Sequence, residues 1–459
     1  MRLRLGFVGL GLLVTPMLVA QPGQFQGSVP TGTATPTPLA LTLQEAIARG
    51  LKANLGLLVS DSTSDIARSQ RVGALSALLP QATGSVTVRE EQTNLKTLGF
   101  NFSFPGVSIP TIVGPFHYID ARAVGSWTAF DYSARKNYRA AQESERAARL
   151  SVQNARDLVV QAAAAAYLQI MADASRSEAI RSQVETAQAL FDRARDQRQA
   201  GTSAGIDVLR SQVELKQQQQ RLLAQENQLA KDKLALGRII GLPSGQDFLI
   251  ADKVPFRPQS SIAEDQALRM ALDQRPDFQS YGAQVRAAEQ AVEAARGQRY
   301  PTATINGDYG DTGPTFANSH GTFSFTAALR FNIFDGGRIG AEVMQAKAVL
   351  KQRRDELADL RGQIEFEVRT TFLDIRTAAD QVAVAQSSLE LANQTLAQAR
   401  DRFAAGVSDS IEVVQAQESV AAANDSLISS LYGHNLAKVA LARVLGAAEQ
   451  GIQRLIEVK

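Results

Sequence analysis

The chain has 459 residues and a net charge of +2, with 48 basic and 46 acidic residues. This balance leaves no electrostatic footprint for nucleic acid, so no nucleic-acid partner is expected. The complete absence of cysteine excludes disulfides, thiolate metal sites, cysteine nucleophiles and an acylated N-terminal cysteine.

The N-terminal residues predict export. Arg2 and Arg4 precede an apolar run from Leu5 to Ala20, and this order is typical of a secretory signal peptide, here residues 1–20. A single membrane anchor is the alternative, but a spanning helix needs about 20 apolar residues and the run is slightly short. Residues 21–40 are rich in Pro, Gly and Thr and predict a flexible linker.

A first structural repeat is predicted over residues 41–241. One helix runs from about Asn54 to Leu79, and a β-hairpin follows over about 82–130. No proline interrupts the long helix predicted over about 137–200, and a return helix follows over about 206–241. At 1.5 Å per residue, roughly 64 residues give about 96 Å of helix.

A second structural repeat follows over residues 262–446. Phe130-Asp131 returns 204 positions later as Phe334-Asp335, and Ala200-Gly201 returns 205 positions later as Ala405-Gly406. The period is far longer than the roughly 20 to 50 residues of a solenoid unit, so a whole assembly is duplicated. The predicted parts are an inter-repeat connector over 242–261, a β-hairpin over about 302–334, a long helix over about 341–405, a return helix over about 411–446 and a C-terminal tail over 447–459.

The strand segments alternate between apolar and polar residues. In the second hairpin, Phe325 and Leu329 fall on one face, and Thr326 and Arg330 fall on the other. Such strands fit a membrane-spanning sheet, although an ordinary half-buried sheet shows the same alternation. An exported chain with no other sheet on which to pack these hairpins favours the membrane interpretation.

The long helices are not expected to cross a membrane. Leu158 to Ala174 is the most apolar stretch, but the matching stretch of the second half carries Glu365, Glu367 and Arg369. Two copies of one element are expected to share an environment, and charges exclude hydrocarbon. The spacing of three and four between apolar residues instead predicts a coiled-coil seam, with each long helix paired to two shorter helices stacked end to end.

Several motifs together resemble the TolC-like outer membrane efflux proteins. They are LTLQEAIARGLKAN at the start, GSWTAFD and RFNIFDGGR at the hairpin ends, and RDQRQAGTSAGIDVL and RDRFAAGVSDSIEVV at the helix turns. The resemblance covers about residues 41–446. It implies a mainly α fold with a small β part, which assembles as a homotrimer. Four strands per chain then form a 12-strand β-barrel in outer-membrane lipid of a Gram-negative-type cell, continued by a periplasmic α-barrel.

The resemblance also assigns roles to the two helix turns. It implies that they form the periplasmic end, where the barrel narrows and meets a periplasmic adaptor (membrane fusion) protein. Glu412 is implied to line the narrowest constriction, with Gln415 where the family has a second acid. Asp207 and Glu412 are alternatively first-turn acids that the helix dipole favours. The implied adaptor-contacting residues are Gly201, Ser203, Ile206, Asp207, Gly406, Ser408 and Ile411.

The function that follows is passive conduction, with no cofactor and no catalysis. No G-x-x-x-x-G-K-[ST] motif is present, so energy must come from an inner-membrane transporter coupled through the adaptor. Residues 201–205 match G-x-S-x-G, but a nucleophile elbow needs a preceding strand and here a helix precedes it; a turn whose Ser or Thr caps the next helix is favoured. The alternative function is an exported coiled-coil structural protein or adhesin without channel activity.

Overall fold

The fold divides into two compact units, which we call the helical unit and the sheet unit. The helical unit comprises Met1–Ser60, Val152–Arg275 and Ile364–Lys459, and the sheet unit comprises Asp61–Ser151 and Pro276–Gln363. The fold is mainly helical, as predicted. The structure is a computed structural model, and it describes residues 25–99, 110–202, 204–252, 262–405, 407–408, 410–449 and 451–452.

The elements follow the same order in both halves of the chain. The first half contains β1 (Leu39–Leu41), α1 (Leu43–Ala53), α2 (Leu55–Ser76), β2 (Gln81–Asn94), β3 (Ile112–Phe130), α3 (Tyr132–Gln199) and α4 (Gly205–Ile240). The second half contains β4 (Phe248–Ile250), α5 (Glu264–Gln274), α6 (Pro276–Gly297), β5 (Thr302–Gly313), β6 (His320–Arg330), α7 (Arg338–Ala404) and α8 (Ser410–Val444).

The helical unit has its core where α1, α3 and α4 meet the short parallel pair β1–β4. Thr42 and Glu45 form a capping box that begins α1, which satisfies two otherwise unpaired backbone donors. The Tyr167 hydroxyl lies 3.0 Å from the Leu41 carbonyl oxygen and 2.8 Å from a carboxylate oxygen of Asp252. These contacts hold both β1 and the connector between the two halves against α3.

The segment from residue 25 to residue 40 is not a flexible linker. The amide nitrogens of Val29 and Thr31 donate to the carbonyl oxygens of Ala53, at 2.9 Å, and Gly241, at 3.2 Å. Phe25 is buried in a cluster with Leu57. Because these partners are distant in sequence, the Pro- and Gly-rich composition gave no sign of them. The predicted signal peptide, residues 1–20, and residues 21–24 lie outside the described residues.

The connector and the C-terminal tail also contribute to this core. The connector contains β4, whose Leu249 pairs with Ala40 of β1, and its residues 253–261 lie outside the described residues. In the tail, Ala448 and Ile452 are buried in the core cluster, and Glu449 forms an ion pair of 2.9 Å with Arg156. Residue 450 and residues 453–459 of the tail lie outside the described residues.

The sheet unit contains a four-stranded sheet in the order β2-β3-β5-β6. Every neighbouring pair is antiparallel. β2 runs to Asn94, and its Glu90 and Glu91 pair with His117 and Phe116 of β3. The tip of the first hairpin, residues 100–109, lies outside the described residues.

β6 ends earlier than the alternation of its sequence predicts. The hairpin is predicted to run to residue 334, but the strand stops at Arg330. Asp335 accepts hydrogen bonds from the amides of Gly337, at 3.0 Å, and Ile339, at 2.9 Å. This cap begins α7. Phe331 and Ile333 continue the apolar–polar alternation of the strand in sequence, but they lie in the turn that leads into the helix.

The helix predicted from Asn54 to Leu79 begins one residue later and ends at Ser76. Asn54 is buried and extended, and its side chain accepts from the Gly56 amide at 3.0 Å and donates to the Phe25 carbonyl at 2.7 Å. A side chain that bonds to its own local backbone competes with the helix. Asn54 therefore separates α1 from α2.

One helix in the described part of the chain has the length and apolar composition of a membrane span, namely Tyr132–Gln199. Half of its most apolar window is buried inside the protein. Val159, Val160, Ala163 and Tyr167 of this helix are fully buried. A helix buried in a protein core passes the same test of composition, and packing accounts for these residues.

Candidate functional site

The first helix turn connects α3 to α4 through a backbone motif that needs glycine. Gly201 has a φ of 78°, a left-handed conformation that side chains disfavour. The Gly201 amide donates to the Arg198 carbonyl at 3.0 Å, and the Thr202 amide donates to the Gln197 carbonyl at 2.9 Å. These two bonds form a Schellman motif, which ends α3.

The second helix turn repeats part of this motif between α7 and α8. The Val407 amide donates to the Arg402 carbonyl at 3.0 Å, and this bond corresponds to the one made by Thr202. Two of the predicted adaptor-contacting residues, Ser203 and Gly406, lie outside the described residues. The predicted capping of α4 by Ser or Thr is not seen at Thr202, because its hydroxyl donates to Gln197 of α3 at 3.0 Å and the N-cap residue is Ala204.

An apolar cluster brings the two turns together. Ala399, Val413 and Ala416 are buried in it, and Leu190 and Phe403 pack against it. A small cavity of about 30 Å³ lies beside the cluster and is lined by residues of both turns, including Asp207 and Val413. The predicted sites of the first and second halves are therefore neighbours within one protomer.

Charged side chains near the two turns form ion pairs and a cation–π contact. Glu412 forms an ion pair with Arg402 across the second turn, at 3.4 Å, whereas Asp207 lies 3.9 Å from Arg210 on its own helix. Arg193 stacks over the ring of Phe403, with 5.7 Å from the guanidinium carbon to the ring centroid. The carboxylate predicted to line a constriction is thus partly neutralised within its own subunit.

Several apolar side chains remain exposed around the turns. Ile206 is 50% exposed and Val407 is 71% exposed. Ile411 is also exposed, as is Gln415, the second residue of the predicted constriction. Ser408 is partly buried, and its hydroxyl has no hydrogen-bond partner within the described part of the chain. Exposed apolar side chains beside a compact turn mark a surface suited to contact with another protein.

Sequence reasoning missed the two side chains that connect the elements here, Arg402 and Arg193. Both resemble ordinary solvated helix charges in the sequence. Arg402 lies ten positions before Glu412, which is the separation that a helix turn brings together. Arg193 reaches Phe403 only because α3 and α7 are packed side by side, and no local pattern predicts that.

The sheet has one polar face and one apolar face. Arg122 on β3 contacts Asp308 on β5 and donates to the Thr322 hydroxyl on β6 at 2.9 Å. These polar side chains therefore share a face across three strands. The opposite face carries Phe325, which is 71% exposed, and Leu329, which is 63% exposed. Exposed apolar side chains that share one face of a sheet mark a surface suited to contact with a membrane or another protein.

A buried polar network joins three helices farther from the turns. Asp173 on α3 pairs with Arg176 at 3.1 Å, and Arg176 reaches Asp425 on α8 at 2.7 Å. Burial and then a hydrogen bond to Asp173 raise the pKa of Asp232 on α4. No group of three or more His, Cys, Asp or Glu suited to a metal ion occurs among the described residues.

Comparison with protein families gives a match that covers most of the chain. The family profile described as outer membrane efflux protein matches residues 119–242 and 267–447. These two stretches cover both hairpin-to-helix junctions and both helix turns.

Two characterised relatives are similar over most of the chain. The pyoverdine export outer membrane protein OpmQ of Pseudomonas aeruginosa is 24% identical over 328 residues, which are 68% of this chain and 66% of that protein. The toluene efflux pump outer membrane protein TtgC of Pseudomonas putida is 22% identical over 416 residues, which are 88% of this chain and 82% of that protein.

A solved structure shares the fold. The CmeC outer membrane channel of Campylobacter jejuni superposes with a TM-score of 0.78 at 16% identity, and the match covers 93% of this chain and 92% of that chain. At this identity the likeness concerns the fold alone.

Proposed function

Because this chain belongs to the outer membrane efflux protein family, we propose that it is the outer-membrane exit duct of a tripartite efflux or secretion system. It passively conducts substrates that a periplasmic adaptor and an inner-membrane transporter deliver. Residues 1–20 act as the export signal, and the two repeats, 41–241 and 262–446, supply equivalent parts of one duct, joined by the connector 242–261. The protein works without a cofactor and without catalysis.

The two-faced sheet is the observation that carries this proposal. Its apolar face, with Phe325 and Leu329 exposed, suits lipid, and its polar face, with the Arg122 contacts, suits a water-filled lumen. β2 and β6 are the outer strands of the sheet, so each leaves one edge unpaired. Bilayers do not tolerate unpaired strand edges, and a closed sheet made from several copies removes them.

Three copies give the most suitable barrel. The four strands of one chain cannot close, and about eight strands leave an interior that side chains fill. About twelve strands leave room for a channel. We therefore propose a homotrimer, with the long helices continuing the duct as a periplasmic α-barrel.

The helix turns are proposed as the coupling end of the duct. Exposed Ile206 and Ile411, together with Gly201, Ser203, Asp207, Gly406 and Ser408, contact the adaptor. Glu412 and Gln415 line the constriction. Opening is a population shift, in which the adaptor binds the splayed turns more tightly than the closed ones.

Conductance in planar bilayers tests the duct directly. The purified full-length protein is expected to give discrete conductance steps, and expression in a cell that lacks its own exit duct is expected to restore efflux when the matching adaptor and transporter are present. A structural or adhesive protein would give neither result. Copurification of an adaptor with its inner-membrane transporter identifies the class of pump.

A further inference from the structure

A groove in the helical unit, which we call the central groove, lies among α3, α4, α7 and α8. Its volume is about 640 Å³, within the range of small-molecule sites. Its wall combines apolar side chains with a few polar ones. The residues that matter below are Leu396, Val420, Leu427, Glu214, Gln218 and Arg400.

Two hydrogen-bond acceptors are buried in this wall. Gln218 is 4% exposed and Glu214 is 7% exposed. The Gln218 side-chain nitrogen donates to Glu214 Oε1 at 2.7 Å, and this bond fixes the orientation of the amide, because a flipped amide would set two oxygens against each other. Gln218 Oε1 then has no hydrogen-bond partner among the residues that the structure describes. A buried acceptor without a donor costs free energy.

The pair is not part of the repeated framework. At the repeat distance of 205 residues, Glu214 corresponds to Ser419 and Gln218 corresponds to Ala423. The Ser419 hydroxyl bonds to its own helix, at the Gln415 carbonyl. The second half therefore builds the same helix without a buried acid and amide, so helix packing does not require them.

The charges around the groove leave a negative interior. Glu178 and Arg400 line the groove with opposite charges, and both are exposed, so solvent screens them. Glu214 is the buried charge of the lining, and its attraction for a cation is screened least. An occupant suited to this wall carries hydrogen-bond donors and positive charge at one end and apolar surface at the other.

We propose that the central groove binds an amphiphilic organic cation, which is a molecule with a primary ammonium or guanidinium head and an apolar body. The head donates to Gln218 Oε1 and to the Glu214 carboxylate, and the body packs on Leu396, Val420 and Leu427. This site lies beyond the proposed duct function. A duct conducts whether or not its wall binds a ligand. Failure of the ligand-site proposal would therefore leave the duct proposal standing, and the reverse also holds.

The test uses the purified full-length protein in detergent and a dansyl-alkylamine as fluorescent probe. Its N-acetylated analogue is neutral, and its trimethylammonium analogue keeps the charge but has no N–H donor. Fluorescence anisotropy, corrected for protein-free micelles, is expected to show saturable binding of the amine. The acetylated analogue is expected to bind at least about tenfold more weakly, because charge-assisted hydrogen bonds are the strong ones. The trimethylammonium analogue is expected to fall between them.

Variants assign the binding to the groove. Glu214→Gln is expected to weaken amine binding about tenfold, and Gln218→Leu about threefold, through loss of one charged and one neutral acceptor. Gln217→Leu, the same change at the exposed neighbouring position, is the matched control and is expected to stay within about twofold. Leu427→Lys places a cation in the groove from α8 and leaves α4 unchanged. It is expected to abolish binding, and it tests the site independently of whether the α4 variants fold.

Three results would overturn the proposal: no saturable binding, equal affinity for the amine and its acetylated analogue, or undiminished binding by Glu214→Gln. Conductance is measured on the same preparations. Lost binding with retained conductance separates the ligand site from the duct, whereas absent wild-type conductance contradicts the duct alone.

Discussion

His434 on α8 is fully buried, and this position makes it a pH-sensitive residue. Burial, and then the charge of Lys438, lower the pKa of His434 from 6.5 to about 4. The native protein therefore holds this side chain neutral at pH values where the unfolded chain protonates it. The stabilising contribution is complete above pH 6.5 and is lost as the pH falls toward 4.

We expect His434→Met to make the free energy of unfolding depend less on pH below pH 6.5. Between the pKa values of 6.5 and about 4, the wild-type protein should lose on the order of 3 kcal/mol of unfolding free energy that the variant does not lose. Thermal unfolding of the detergent-solubilised protein at pH 4 to 7 measures this. His320→Gln, at an exposed histidine, should leave the profile unchanged, and a variant as acid-sensitive as the wild type would contradict the assignment.

Glu412 tests whether the constriction is electrostatic. Because Glu412 pairs with Arg402 at 3.4 Å, Glu412→Gln removes one negative charge per subunit and also exposes the charge of Arg402. In a narrow ring, both effects disfavour cations. We expect single-channel cation selectivity to fall, with a larger change at low ionic strength, where screening is weaker.

The double variant Arg402→Gln/Glu412→Gln is the matched control for this charge change. It leaves the net charge of the ring at its wild-type value, so most of the lost selectivity should return. Unchanged selectivity in Glu412→Gln would leave this carboxylate as a residue that only stabilises the start of α8 through the helix dipole.

At the scale of elements, the first helix turn depends on the left-handed backbone of Gly201. Gly201→Val should disturb the turn, because its φ of 78° costs a non-glycine residue about 1 to 2 kcal/mol. We expect adaptor cross-linking and efflux to fall while trimer assembly survives. Gly433→Val is the control, since Gly433 lies within α8 and a side chain there meets open space; equal loss in both variants would argue against a coupling role for the turn.

The two faces of β6 are expected to differ in chemical access. Thr326 pairs with Asn306, and Leu329 pairs with Ala303, so the two residues lie on opposite faces of the sheet. In this cysteine-free chain, a cysteine at position 326 should react with a hydrophilic thiol reagent in intact membranes. A cysteine at position 329 should react only after detergent treatment, and equal labelling would refute a lipid-facing assignment.

Local periodicity predicted those elements whose burial repeats along the chain. The alternation at Phe325 and Thr326 predicted a two-faced strand, and the spacing of three and four between apolar residues predicted the long helices seen as α3 and α7. Periodicity failed where contacts are non-local. The hydrogen bonds of Val29 to Ala53 and Thr31 to Gly241 join distant segments, and β6 stopped short because the cap at Asp335 overrides the alternation.

In the candidate site, the positions of the two helix turns could be predicted from the sequence, but the contacts between helices could not. Glycine at the end of a helix predicted the turn at Gly201, and repetition of that turn identified its counterpart. The ion pair of Arg402 with Glu412 and the stacking of Arg193 on Phe403 depend on which helices become neighbours. The buried pair Glu214 and Gln218 likewise shows no distinctive spacing, and only its burial sets it apart from the many solvated polar residues around it.

At the scale of the whole molecule, duplication explains why the two halves of the chain supply matching elements. Each half contributes one hairpin and one helix turn, and the two hairpins join as a single sheet through β3 and β5. The halves have since diverged, since Asn54 in the first corresponds to Arg275 in the second. Asn54 bonds to the backbone of Phe25, whereas Arg275 forms a buried ion pair of 2.5 Å with Glu367.

The open edges of the sheet give the last prediction, which concerns assembly. If β2 of one subunit pairs with β6 of the next, cysteines placed on both edges at Val86 and Phe325 should cross-link between subunits through a short bifunctional maleimide. Because a closed ring of three offers three such junctions, denaturing gels should show monomer, dimer and trimer and nothing larger.

Cysteines at Ala123 and Tyr309, which face each other on the central strands, are the control and should cross-link only within one chain. A ladder that stops at dimer or continues past trimer would exclude a closed barrel of three subunits, because the number of steps in the ladder counts the subunits that the edges join.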